Sequence, residues 1–324
     1  DIPTDQISTQ HNFFTHGGNS LRAIQLISRI HDTLGHHIDL RQVYLDATIS
    51  GIAAAIDRQP VPAAAQPRQE LLVPLRANGS RPPLFCVHPV GGSAAPYLAL
   101  TGLLPADLPV YGFEAAGLHG GEPLRAVPEM AERYLPELLA RQPRGPYHLL
   151  GWSAGGLIAL ELAARLRERG EPVALLTLLD TVAPRPDDPL PNHAELLAHF
   201  AHDVAAQAGV PAPALELHGL PENERAAAVT KALERAGLVP AGIERELRAR
   251  MDVFIATSLA ARTYRLPTIH SGATLLTARE RRDGRTPRWP AHASRIEVPG
   301  NHYTVLREPH VTALAAIVTD LLDS

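Results

Sequence analysis

The chain has 324 residues, 45% of them hydrophobic, and a formal net charge of −4. That length points to two domains, one large and one small, with enough apolar sequence for a sizeable core. The charge excludes a basic nucleic-acid-binding surface, and a single cysteine, Cys86, excludes an internal disulfide framework and fits a reducing cytoplasm.

No uninterrupted apolar window is long enough for a membrane span, and no charged-then-apolar leader follows Asp1, so neither membrane nor targeting segment is expected. The start at Asp reads as a piece of a longer polypeptide. Residues 1–57 form a first unit. Ile2 to Thr9 is a loop, Phe13 and Phe14 are an aromatic anchor, and Gly17-Gly18-Asn19-Ser20 is a turn. Ser20 then suits the N-cap of a helix from Leu21 to about Leu34, with Leu21, Ile24, Ile27, Ile30 and Leu34 on its apolar face. Leu40 to Tyr44 is a short turn or helix, and Ile49 to Ile56 a last short helix. A unit this small is marginal for independent folding.

Gln59 to Gln69 reads Q-P-V-P-A-A-A-Q-P-R-Q, a partly extended linker and the clearest domain boundary, placed at residues 58–70. From Leu71 to Ser324 strands and helices alternate. Strands are expected at Leu84–His88, Val110–Phe113, Tyr147–Leu150, Val173–Leu179, Ala273–Thr277 and Arg295–Val298. Helices are expected at Ala95–Leu104, Val127–Arg141, Ala154–Arg169 and Val311–Leu322. Apolar strands alternating with helices mean a mostly parallel sheet covered on both faces. Residues 183–267 break the rhythm with three helical patterns, His193–Ala208, Glu222–Ala236 and Ile243–Tyr264. In the last, Ile243, Leu247, Met251, Phe254 and Leu259 share one face. This interval reads as a helical lid inserted between two strands.

The chemistry centres on Tyr147 to Gly156, Y-H-L-L-G-W-S-A-G-G. Gly151, Ser153 and Gly155 form G-x-S-x-G between a buried strand and a helix, the setting of a nucleophile elbow. The glycines let strand and helix pack closely around a strained serine. A serine hydroxyl needs a base to take its proton and an acid to orient that base. On such a sheet the chain order is Ser, then Asp or Glu, then His. Asp180 follows the strand Val173–Leu179 at its carboxyl end, where functional groups of open α/β sheets collect. Asp187 and Asp188 are rivals in a Pro-rich loop. His302, in V-P-G-N-H-Y-T after the last strand, is the best base. His310 suits a surface or capping role, and His270 precedes a strand rather than following one. His199 and His202, three apart on a lid helix, read as an exposed helix face, since no third ligand of matching spacing supports a metal. The oxyanion donors are the amides of Ala154, after the nucleophile, and of Val90, in the loop H-P-V-G-G-S. His88 is expected to pack or bond structurally, and Cys86 to be buried and inert.

F-F-T-H-G-G-N-S-L, Phe13 to Leu21, resembles the signature of peptidyl carrier proteins of nonribosomal peptide synthetases. The resemblance covers residues 1–57 and implies a small all-α helical bundle, with 4′-phosphopantetheine attached covalently to Ser20. The family's first helix would precede Asp1. The large domain resembles a type I thioesterase through H-P-V-G-G, G-W-S-A-G-G, L-L-D-T and G-N-H-Y-T-V-L-R-E-P-H. That implies an α/β-hydrolase fold with a lid over residues 71–324. Carrier and thioesterase together imply the termination unit of an assembly line for a secondary metabolite such as an antibiotic or siderophore. The peptide passes from the carrier thioester to Ser153 and leaves by hydrolysis, macrocyclisation or oligomerisation. The implied partners are the peptidyl thioester, upstream condensation and adenylation domains, a phosphopantetheinyl transferase and a type II thioesterase. The alternative from a different class is a general serine esterase with an N-terminal docking module, in which Ser20 is only a cap.

Overall fold

The computed structural model describes residues 7–13, 23, 26, 27, 29, 30, 33–36, 38, 42, 43, 46–57, 70–185, 189–267, 272–280, 289 and 294–324. Phe14, the turn from Gly17 to Leu21 with Ser20, Ile24, the Gln59–Gln69 linker, Asp187, Asp188 and His270 lie outside the described residues.

The large unit is a seven-stranded sheet in the order β1-β3-β2-β4-β5-β6-β7. Its strands are β1 (Leu72–Arg76), β2 (Leu84–Val87), β3 (Val110–Phe113), β4 (Tyr147–Trp152), β5 (Val173–Leu179), β6 (Ala273–Ala278) and β7 (Ser294–Val298). β1 pairs antiparallel with β3, and every other pairing is parallel. β1 was not expected from the pattern. Its run Leu-Val-Pro-Leu-Arg is short, contains Pro74 and buries Val73 alone. Proline is tolerated there because an edge strand can spare a donor. Glu137 anchors the start of β1, its Oε2 accepting from the amides of Leu71 at 2.8 Å and Leu72 at 2.7 Å.

Parity along each strand divides the core in two, because successive side chains leave a strand on opposite faces. Phe85, Val87, Leu149, Leu176, Leu178 and Leu275 face the helices Val127–Arg141 and Ala154–Glu168. Leu84, Cys86, Leu150, Leu179 and Leu276 face the helices Leu98–Leu103 and His310–Leu322. Numbering helices from the N-terminus, α1 is Ile49–Asp57, and these four are α2 (Leu98–Leu103), α3 (Val127–Arg141), α4 (Ala154–Glu168) and α8 (His310–Leu322).

Between β5 and β6 come α5 (His193–Ala208), α6 (Glu222–Arg235) and α7 (Glu244–Thr263). They share an apolar core of their own, including Leu197, Phe200, Val229, Leu247, Met251 and Phe254. Asn192 starts α5 with a reciprocal capping box to Glu195. The face expected of α7 is only partly correct: Ile243, Leu247, Met251 and Phe254 enter this core, while Leu259 is half-buried outside it. The reason is that α7 is buried on more than one side. Val253 packs on Ala115 and Leu118, and Ala260, with Tyr264 just beyond the helix, joins the sheet core. Tyr264 Oη also donates to Glu161 Oε2 on α4 at 2.7 Å, tying the exit of α7 to the sheet unit.

In the N-terminal unit the described positions between 23 and 34 are helical. Ala23, Ile38, Val43 and Ile52 form a small core joined by Phe13, Ile27 and Ile30. Leu34, expected on the apolar face, is 56% exposed instead, since it lies in the last turn before Gly35 (φ 71°). Ala95 and Leu98 of the large unit pack against this same core.

Candidate active site

The strand–turn–helix around Ser153 follows from its neighbours. Ser153 sits at φ 58°, ψ −127°, between the end of β4 and the first residue of α4. A non-glycine residue held there is strained, and such strain collects at functional sites. The turn is held by Ser153 N donating to Leu179 O at 2.9 Å and Gly156 N to Ser153 O at 3.1 Å. A side chain on Gly151 would strike the Gly155 backbone, one on Gly155 the carbonyls of Val87 and His88, and one on Gly156 the side chain of Thr181. The glycines are therefore steric requirements of β4, β2 and α4 meeting at one point.

Asp180, at the end of β5, also takes a positive φ of 43°. Its amide donates to Leu276 O at 2.7 Å, and its Oδ1 accepts from Ala278 N at 3.1 Å. These bonds brace the residue against the end of β6 and leave Oδ2 for His302 Nδ1, 2.7 Å away. A carboxylate only accepts, so Nδ1 carries the hydrogen and Nε2 keeps its lone pair. The His302 loop is set by Asn301, whose Oδ1 accepts from Tyr303 N at 2.9 Å and Thr304 N at 3.2 Å. Trp152 and Tyr303 pack on the imidazole, with ring centres 5.4 and 5.2 Å from it.

Ser153, Ala154, Asp180, His302 and Val90 line one open cavity of about 430 Å³ beneath α5 and α7. The structure thus brings together every residue expected at the site except Ser20, which is outside the described residues. Val90 lies on a loop fixed by Gly92, whose carbonyl accepts from Ala115 N at 2.8 Å. Gly92 has φ 81° and its α-hydrogen side faces Val253 of α7, so close approach requires glycine there, whereas nothing lies within 4 Å of a side chain built on Gly91. Ser93 continues the loop and donates to buried Glu114 Oε1 at 3.3 Å. Glu114 Oε2 also meets His119 Nε2 at 2.7 Å.

His88 is structural, as expected. It is fully buried, with Nδ1 donating to Pro89 O at 2.8 Å and Nε2 accepting from Tyr134 Oη at 2.7 Å. Burial lowers its pKa to about 4, which keeps the ring neutral. Cys86 is buried within β2, and burial pushes its thiol pKa up. His199 and His202 lie on an exposed face of α5, as expected, and that face also lines the Ser153 cavity. The fold of α5 over the sheet, which helix periodicity does not disclose, turns that surface toward the site.

Asp203 on α5 was missed. It lines the Ser153 cavity and also a narrower cleft of about 100 Å³ bounded by Pro89, Gly91, Ser93 and Pro96. Burial raises its pKa to about 6, opposed by a 2.6 Å hydrogen bond from Gln207 and by the charges of His302 and His202. The available signal was a carboxylate in step with Leu196 and Phe200 along the buried stripe of α5.

Two family models match the chain: "Thioesterase domain" over residues 82–322 and "Phosphopantetheine attachment site" over residues 1–56. The dimodular nonribosomal peptide synthase of Bacillus subtilis is 38% identical over 189 residues, covering 58% of this chain and 7% of that protein. Enterobactin synthase component F of Escherichia coli K12 is 37% identical over 174 residues, covering 53% of this chain and 13% of that protein. The chain therefore spans a small fraction of these relatives' length. Among solved structures, a holo four-domain nonribosomal peptide synthetase bound to AMP and glycine is similar over 98% of this chain and 25% of its own, with a TM-score of 0.74 and 25% identity. The NocB thioesterase domain shares the fold, with a TM-score of 0.57 at 23% identity over 75% of this chain and 96% of its own. With an elbow serine, a bonded His–Asp pair and a helical layer on one α/β sheet, the chain belongs to the thioesterase domain family and carries a phosphopantetheine attachment domain at its N-terminal end.

Proposed function

We propose that the chain is the carrier–thioesterase release unit of a nonribosomal peptide synthetase, with carrier at residues 1–57, linker at 58–70, thioesterase at 71–324 and lid at 183–267. The observation that carries this reading is the His302–Asp180 bond beside the elbow serine, in one chain with a phosphopantetheine attachment domain.

Ser20 is the attachment residue in this reading. The cleft between Pro96 and Asp203 fits a slender amide-bearing arm: Pro96 stands in sequence between Ala95 and Leu98, which touch the carrier core, and Asp203 lines the Ser153 cavity as well. Its apolar prolines and the polar Ser93 and Gln207 would hold such an arm. When bound, the group supplies the acyl chain as a thioester. His302 Nε2 takes the proton from Ser153 Oγ, which attacks the thioester carbonyl. Asp180 holds the imidazole's tautomer and offsets its charge. The amides of Val90 and Ala154 stabilise the oxyanion. The carbon–sulfur bond breaks, His302 returns the proton to the departing sulfur, and the acyl chain is left as an ester on Ser153. His302 then deprotonates the second nucleophile. Water gives an acid, and an amine or hydroxyl of the peptide gives a ring or an oligomer. Upstream condensation and adenylation domains build the peptide, a phosphopantetheinyl transferase loads Ser20, and a type II thioesterase clears misloaded arms.

Ser153→Ala should lower release from a loaded carrier by at least ~10³-fold, read by mass spectrometry of product and of acyl-enzyme. Unchanged acyl transfer would refute the assignment. Coenzyme A with a phosphopantetheinyl transferase should add one arm's mass to the native chain and none to Ser20→Ala.

A further inference from the structure

The Ser153 cavity carries charges that acyl transfer does not use. Arg185 from the segment after β5, His199 and His202 from α5, and Arg262 from the last turn of α7 reach it from separate elements. Among the described residues neither Arg185 nor Arg262 makes a salt bridge or a side-chain hydrogen bond. The basic groups also crowd one another. Burial, then the charge of Arg262, lower the pKa of His199, with His202 acting in the same direction and Glu195 against it.

Among the described residues, the two carboxylates lining the cavity, Asp180 and Asp203, are engaged at its catalytic end. Asp180 holds His302 and the Ala278 amide, and Asp203 accepts from Gln207 beside His202 and His302. Arg185 and Arg262 are exposed, while Asp180 and Asp203 are half-buried. The cavity is therefore polarised, with carboxylates inside and two guanidinium groups at its mouth. Guanidinium forks bind carboxylates through charge-assisted, often bidentate hydrogen bonds. In the reading above the carrier's arm would approach through the cleft at Pro96, which Arg185 and Arg262 do not line, so its phosphate is not the anion these residues await.

We infer that the acyl chain accepted at Ser153 bears a carboxylate, bound by Arg185 and Arg262; this rests on the thioesterase reading above. The residues set specificity and take no part in bond making.

The test compares N-acetylcysteamine thioesters of a suberoyl chain and of its terminal carboxamide, neither of which carries phosphate. The native chain should favour the carboxylate by about tenfold in kcat/KM. The ratio should fall toward one in the Arg185→Gln, Arg262→Gln double variant and on raising salt, which screens exposed charge. A ratio near one in the native chain, or one that survives both substitutions, overturns the inference. Calorimetric titration of Ser153→Ala protein with the same pair reads the preference without turnover. If neither thioester reacts, the thioesterase reading suffers, yet binding still decides this one: stronger carboxylate binding upholds it and equal binding overturns it.

Discussion

Asp203 joins burial to electrostatics in a single side chain. Its carboxyl belongs to α5, faces the catalytic cavity and has a pKa raised to about 6 by burial. A folded-state pKa above the unfolded one means that the folded chain binds the proton more tightly. Stability from this residue is then greatest below the unfolded value of 3.8 and is lost as pH rises through about 6. Asp203→Asn keeps the shape, removes the buried charge and should raise stability at pH 7 by ~1–3 kcal/mol, with no gain near pH 3. Thermal melts of both proteins across that range check the sign. A stability gain independent of pH would mean that the carboxyl is not ionising in place.

At the level of elements, the elbow and the loop carrying Val90 make different demands on their glycines. Gly155 faces the carbonyls of Val87 and His88, which belong to backbone and cannot move aside, whereas Gly91 faces open space. Gly155→Ala should cost ~1–3 kcal/mol or more and cut acyl transfer, while Gly91→Ala should stay within ~0.5 kcal/mol of the native chain in urea melts. Equal losses would show that the elbow is not sterically set. These contrasts also explain what could be read in advance. The inner parallel strands announce themselves as apolar runs buried on both faces, and Asp180 and His302 stand at strand ends, so their pairing across 122 positions was legible from topology. β1 was not, because its Pro-containing run acquires meaning only from β3 beside it. Leu259 was misplaced because a single apolar stripe cannot describe a helix buried on several sides. Arg185 and Arg262 gave no local signal at all: exposed cations are ordinary on a surface, and only the fold turns these toward Ser153.

Across the whole molecule, the carrier core and the thioesterase meet at Ala95 and Leu98, next to the cleft that adjoins the catalytic cavity. In the proposed release unit a short tether would make this meeting intramolecular, with an effective concentration on the order of millimolar, so even a weak contact would be occupied much of the time. The stretch before Leu71 is rich in proline and alanine, the composition expected of a linker. Burying Leu98 against the small core of Ala23, Ile38, Val43 and Ile52 contributes at most ~1.5–3 kcal/mol. A charge placed there must instead be desolvated on docking. Leu98→Glu should therefore slow single-turnover transfer from the chain's own loaded carrier by roughly tenfold, relative to transfer from an acyl N-acetylcysteamine thioester that needs no docking. Rapid-quench mass spectrometry of acyl-Ser153 reads both rates on one protein. A fall confined to the tethered substrate identifies Ala95 and Leu98 as the delivery contact. Equal falls would instead mean that the substitution disturbs the neighbouring loop that carries Val90, and no fall that the carrier delivers from another face.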